Sequence, residues 1–146
     1  MLTDILPKDH LQHVDRVKNW VEAIWIASNP LLKKGVIEKV YVDNMIKNVY
    51  THGPYIVLND YFALPHADPG KGVNKLGMAL LTIDHPIDLL GKPVKIFLVL
   101  AAIDSTSHLQ ALSEISNLLM VPENYDVFLS GSIDDIYSIL KKGGKV

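Results

Sequence analysis

Six histidines and no cysteine bound the chemistry open to this chain. Without thiols it holds no disulfide, no thiolate metal site and no cysteine nucleophile. Imidazole is therefore the group to weigh. His66 stands in the stretch Phe62-Ala63-Leu64-Pro65-His66-Ala67-Asp68. Pro65 fixes its own φ and biases Leu64 towards an extended backbone, so the segment arrives stiff. Ala67 is too small to cover the ring, and Asp68-Pro69-Gly70-Lys71-Gly72 reads as a loop. The ring is expected to project at the mouth of a loop beyond a strand end, where α/β proteins bind ligands. His108 follows an apolar run through Asp104-Ser105-Thr106-Ser107 and lands on the first turn of a helix. Unpaired backbone N–H groups and the helix dipole favour an anion there. The other four histidines read as exposed or turn residues: His10 and His13 in a polar leader or first strand, His52 ahead of a helix-stop glycine, and His85 in the turn signal Asp84-His85-Pro86.

Two strand-end loops that meet across a sheet would bring His66 and His108 together, and three chemistries suit such a pair. A metal site needs a third ligand, which Asp68 could lend. A Ser-His-Asp hydrolase is open on inventory, although Ser130-Gly131-Ser132 lacks the G-x-S-x-G elbow. A histidine that accepts a phosphoryl group covalently is the third. With no Walker loop and no G-x-G-x-x-G, the donor would not be a nucleotide held in those ways. Spacing alone leaves all three open.

The elements that must position these residues follow from periodicity. Leu11 to Val17 alternates imperfectly, as a strand or an early helical turn would. Asn19 and Glu22 have the spacing of a capping box, opening a helix that Asn29-Pro30 is expected to interrupt or end. Val42, Met45, Ile46 and Val49 define a second helix over Glu38 to Thr51, stopped by Gly53. Tyr55 to Leu58 is a short β-rich run. Leu76 to Ile83 and Val94 to Ala102 are longer apolar runs bounded by Gly and Pro, as buried strands are. A helix is expected from Ser107, broken by Pro122, which can begin a short helix through Leu129. Ser132 caps a last helix ended by Gly143-Gly144. Helices, then strands, then helices predict an α/β protein with a mixed sheet covered on both faces.

The 146 residues fit one domain, 1–146, able to bury its own core. The composition is ordinary for a globular protein, at 49% hydrophobic and 21% charged. A net charge of -2 gives no footprint for nucleic acid. No apolar run approaches the roughly 20 residues that span a bilayer. The first ten residues carry an acid and a proline where a signal peptide needs a basic and then an apolar stretch. A cytoplasmic location is the expectation.

Gly53-Pro54-Tyr55-Ile56-Val57, then Ala63-Leu64-Pro65-His66-Ala67 and Gly72-Val73, resemble the active-site region of enzyme IIA components of the sugar phosphotransferase system. The resemblance is to the mannitol/fructose-type superfamily, and within it to the ascorbate-like branch. It continues through Leu76 to Leu81, the Val94 to Ala102 run and His108-Leu109-Gln110-Ala111-Leu112-Ser113, and reaches back to Trp20, Glu22, Ala23, Ile24 and Pro30-Leu31-Leu32. Coverage runs from about Leu11 to Leu140.

The resemblance implies a three-layer α/β/α sandwich with a central mixed sheet, a type-2 EIIA domain, and a strand at Leu11 to Val17. It implies that His66 is the phosphorylated nucleophile, receiving the group from the phosphocarrier HPr and passing it to a cysteine of a separate IIB protein. Uptake of a sugar, ascorbate or pentitol-like, would be coupled to that transfer through a membrane IIC reached only indirectly. His108 matches the second active-site histidine, which helps hold the phosphoryl group. Ser107 and Lys71 are candidate phosphate-binding residues. No metal, cofactor or nucleic acid is implied, and a homodimer is compatible with it. The competing reading on the same fold is a regulatory protein whose phosphorylation state modulates a partner. Relatives of the ascorbate-like branch often carry a basic residue at the position of Asp68; an acid there repels phosphate unless it points away or Lys71 supplies the charge. A docking surface around His66 is expected to be apolar with a polar rim, built from exposed residues such as Phe62 and others near the Ser107 helix start.

Overall fold

The two longest apolar runs of the sequence form the middle of a five-stranded sheet. The structure is a computed structural model that describes residues 2–143. Its elements in chain order are α1 (Leu2–Ile5), a 3₁₀ turn (Lys8–His10), β1 (Leu11–Val14), α2 (Trp20–Lys33), α3 (Lys39–His52), β2 (Val57–Asn59), β3 (Tyr61–Ala63), β4 (Gly77–Leu89), β5 (Lys92–Ala101), α4 (Leu109–Leu119), α5 (Pro122–Ser130) and α6 (Ile133–Lys142). The strand order is β1-β4-β5-β3-β2. The β1–β4 and β3–β5 pairs are parallel, and β4–β5 and β2–β3 are antiparallel. The expected three-layer α/β/α arrangement around a mixed sheet is the one formed.

Successive strand side chains point to opposite faces. Ala79, Leu81 and Ile83 of β4, with Phe97, Val99 and Ala101 of β5, pack against α2 and α3. The intervening Met78, Leu80, Ile96, Leu98 and Leu100 pack against the layer of α1, α4, α5 and α6. Covering both faces removes any need for polar alternation, so the strands read as continuous apolar runs. Phe62 belongs to the second of these cores at 5% exposure, so it is no part of an exposed docking surface.

Three local readings change for tertiary reasons. Pro30 neither ends nor interrupts α2, which runs on to Lys33. Proline deprives the carbonyl four residues back, that of Ile26, of its usual donor; the Gln12 amide of β1 donates to that oxygen at 2.6 Å. Asp84-His85-Pro86 is not a turn, because β4 continues to Leu89. Its register with β5 shifts between Thr82 and Ile87, the kind of irregularity that admits a proline. The reversal lies instead at Leu90-Gly91, with φ of 50° and 96°, both positive as a tight hairpin turn demands. His10 is buried at 4% exposure rather than exposed, with Nδ1 2.7 Å from the Met78 carbonyl, and desolvation holds its pKa below the ordinary value. His13 and His85 pair at the sheet edge, with Thr82 and Asp84 for the first and Asp15 for the second.

Elsewhere the local signals act as read. Asn19 Oδ1 accepts the Glu22 N–H at 2.8 Å, while Glu22 reaches back to the N–H of Lys18 rather than of Asn19. Pro122 is the first residue of α5, and Ser132 Oγ accepts the Asp135 N–H at 3.1 Å. The expected strand from Leu11 stops at Val14. Gly143 follows α6, and Gly144 lies outside the described residues. Among the described residues no helix is long and apolar enough to cross a membrane.

Candidate active site

The parallel neighbours β3 and β5 end on the same side of the sheet, with Ala63 in register with Phe97. The loops that leave them carry His66 and His108. The His66 loop is clipped on both flanks by backbone bonds. Leu64 N–H donates to the Ile56 carbonyl at 2.8 Å, Leu100 N–H to that of Pro65 at 3.0 Å, and Gly70 N–H to that of Ala102 at 3.0 Å. Gly70 adopts φ 87°, and a Cβ there would lie 3.0 Å from the Ile103 carbonyl oxygen. The close approach of the two loops thus requires glycine.

Tyr41 of α3 holds this loop from beneath. Its buried hydroxyl donates to the Leu100 carbonyl at 2.6 Å and accepts the Ala67 N–H at 3.1 Å. Burial pushes its pKa up to about 12, so it remains a donor across the physiological range.

His66 is half-buried, with Nδ1 2.6 Å from the carbonyl of Leu64. A carbonyl only accepts, so Nδ1 carries the proton and Nε2 keeps a lone pair. Tyr55 stands edge-on to the imidazole, with centroids 5.5 Å apart at 81°. Its hydroxyl lies 3.4 Å from the His66 carbonyl. Burial, then the carboxylate of Asp68, raise its pKa against the opposing hydrogen bond from Asn48. The ring faces an open cavity of about 410 Å³ lined by Asn48, His52, Tyr55 and residues 66–69. Asp68 is exposed and is among the residues that line this cavity.

His108 precedes α4 at its N-cap position, half-buried, its Nδ1 without a hydrogen-bond partner. The N–H groups just ahead of the helix are taken up within the loop, and that of Leu109 donates to the Thr106 carbonyl at 3.1 Å. Asp104 Oδ1 accepts the N–H groups of Thr106 and Ser107 at 3.0 and 2.6 Å, and the Thr106 hydroxyl at 3.2 Å. Those backbone bonds hold the Asp104 carboxyl below the ordinary aspartate range. Ser107 lines a separate cavity of about 130 Å³ with Leu2, Ile5 and Leu76. Lys71 is exposed on the loop and does not line the His66 cavity. Among the described residues no group of three or more His, Cys, Asp or Glu side chains could hold a metal ion.

Sequence reasoning passed over Tyr41, Tyr55, His52 and Asp104. Only Asp104 left a local signal, an acid two and three residues ahead of the N–H groups that it caps. The others reach the site from α3 and the chain following it, through packing alone.

The family description "Phosphoenolpyruvate-dependent sugar phosphotransferase system, EIIA 2" matches residues 4–143. The chain belongs to this EIIA family. Its relatives include the mannitol-specific cryptic phosphotransferase enzyme IIA component of Escherichia coli K12, 30% identical, covering 97% of this chain and 99% of that one. The ascorbate-specific EIIA component of Shigella flexneri is 34% identical over 75% of this chain and 73% of its own. The solution structure of the Escherichia coli cryptic mannitol IIA superposes with a TM-score of 0.89 at 30% identity, over 97% and 98% of the two chains. The Escherichia coli mannitol IIA, solved in complex with phosphorylated IIB, shares the EIIA fold at a TM-score of 0.75 and 20% identity, over 90% and 94%.

Proposed function

We propose that this EIIA protein is a cytoplasmic, single-domain phosphocarrier in which Nε2 of His66 accepts a phosphoryl group from phospho-HPr and passes it to a cysteine of a separate IIB protein. One observation carries the assignment of the nucleophile: the 2.6 Å contact of Nδ1 with the Leu64 carbonyl leaves Nε2 as the free lone pair of a ring that lines the cavity. In the first step Nε2 attacks phosphorus, a new P–N bond forms, and the P–N bond to the donor imidazole breaks. The proton stays on Nδ1 throughout, donated to the Leu64 carbonyl, so no proton has to move on His66. In the second step a thiolate attacks phosphorus, the P–S bond forms, and His66 leaves as the neutral ring it was. Phosphoryl transfer asks mainly for alignment and charge stabilisation, which the clipped loop and the tether from Tyr41 suit. His108, on the adjoining strand-end loop, is the donor to the phosphoryl oxygens, with Ser107 and Lys71 contributing at longer range.

Two proteins must reach His66 in turn, so the site must be open and its surroundings partly apolar. Tyr55, Ile103 and Leu109, exposed at 39%, 45% and 56%, take the docking role first given to Phe62. The sugar class is that of the ascorbate- and mannitol-type relatives, with IIC engaged only through IIB. Enzyme I, HPr and phosphoenolpyruvate should produce an acid-labile phosphoryl adduct on the protein. His66→Ala should carry none, and an adduct on that variant would refute the assignment.

A further inference from the structure

Resting on the phosphocarrier reading, we propose that His52 is a further catalytic residue of this chain, its imidazole binding the oxygens of the phosphoryl group carried by His66. His52 closes α3 and lines the His66 cavity. Tyr55 packs at a steep angle against both imidazoles: its centroid is 6.1 Å from that of His52 and 5.5 Å from that of His66. Among the described residues, neither ring nitrogen of His52 is engaged by a hydrogen bond, and the side chain is exposed.

Charge makes the case. A phosphoryl group on Nε2 brings up to two negative charges into a cavity that already holds the Asp68 carboxylate. The carbonyl end of α3 adds partial negative charge beside it. Asn48 and Tyr55 are neutral donors, and Lys71 does not line the cavity. Apart from His66, His52 is the one lining side chain that can carry positive charge. Like charges a few ångströms apart repel strongly in a partly desolvated site, and transition-state charge is best met by a donor already aimed at it. His52 is therefore the lining side chain able to offset Asp68.

Phosphoramidate, a donor with no docking surface, tests this with wild type, His52→Ala, His52→Lys and His66→Ala, the adduct being followed by ³¹P NMR. Wild type should label and His66→Ala should not. His52→Ala should label about tenfold more slowly, the effect of one donor moderated by solvent screening, and its phosphohistidine resonance should be displaced. His52→Lys should recover most of the rate. If His52→Ala does not fold, His52→Gln replaces it, with the same loss expected. Equal rates and unmoved resonances in wild type and His52→Ala would overturn the proposal, as would a lysine variant no faster than alanine. Failure of wild type to label from phosphoramidate and from HPr alike would instead overturn the phosphocarrier reading on which the proposal rests.

Discussion

The loops that follow β3 and β5 leave adjacent parallel strands on the same side of the sheet, yet they are held in opposite ways. The His66 loop is fixed from outside itself, by backbone bonds to residues 56, 100 and 102 and by the Tyr41 hydroxyl, and only its ring nitrogen is bound within the loop, to the Leu64 carbonyl. The 104–108 loop is fixed from within, by the Asp104 carboxylate gathering its own following N–H groups, and its histidine keeps Nδ1 unpaired. The contrast fits the division of labour proposed for the two histidines. A nucleophile must have one tautomer and one direction before its substrate arrives, whereas a stabilising donor gains its partner only with the phosphoryl group. An unpaired buried nitrogen costs stability in the resting protein, and the phosphorylated state would satisfy it.

Substitutions can break that comparison, and they rank. His66→Ala should abolish acceptance altogether. His108→Ala should still label, about a hundredfold more slowly, as expected for loss of one preorganised donor; loss as complete as in His66→Ala would mean that the two loops do not differ in role. Tyr41→Phe removes both tethers without removing the ring. Transfer should slow about tenfold through misplacement of the loop, and unfolding in urea should show a loss of about 1–3 kcal/mol. The same variant sharpens the reading of Tyr41. Its pKa is pushed up to about 12 by burial, against an ordinary tyrosine value of about 10. The folded state therefore binds that proton more tightly than the unfolded chain. The stability it contributes is whole below pH about 10 and declines as pH rises towards 12, a decline that Tyr41→Phe should lack.

Asp104→Ser should have the smallest effect, a slowing of under about threefold, because a serine hydroxyl can still accept from a following N–H. For wild type the sign runs the other way from that of Tyr41. The Asp104 carboxyl is held low by the N–H groups of Thr106 and Ser107, so its contribution is present above the ordinary aspartate range and is lost as pH falls through the lowered value. Amide exchange of Thr106 and Ser107 across acid pH would follow it in wild type and not in the serine variant, and wild-type protection that stays unchanged as pH falls would remove Asp104 from the account.

What could be read from the chain divides along the same line of local against tertiary cause. The His66 loop was legible because Pro65 and Ala67 act on their immediate neighbours. Asn19, Pro122 and Ser132 were legible as helix starts for the same reason, and β4 and β5 because a sheet covered on both faces leaves uninterrupted apolar runs. Pro30 misled because the donor that replaces its missing N–H sits on β1, in Gln12. Asp84-His85-Pro86 misled because strand pairing on either side outweighs local turn preference. Phe62 misled because its alternation points it into the second core. His52 could not have been told from any helix-end histidine until α3 was packed beside the His66 loop.

The central claim is that the Leu64 carbonyl fixes the proton on Nδ1 and leaves Nε2 of His66 to take the phosphoryl group. Protein labelled with ¹⁵N-histidine, phosphorylated through HPr and observed by ¹⁵N–³¹P correlated NMR, tests it most directly. The account predicts one phosphohistidine, His66, with phosphorus coupled to Nε2 and a retained Nδ1–H. Phosphorus bonded to Nδ1 of His66, or to any other histidine, would contradict it.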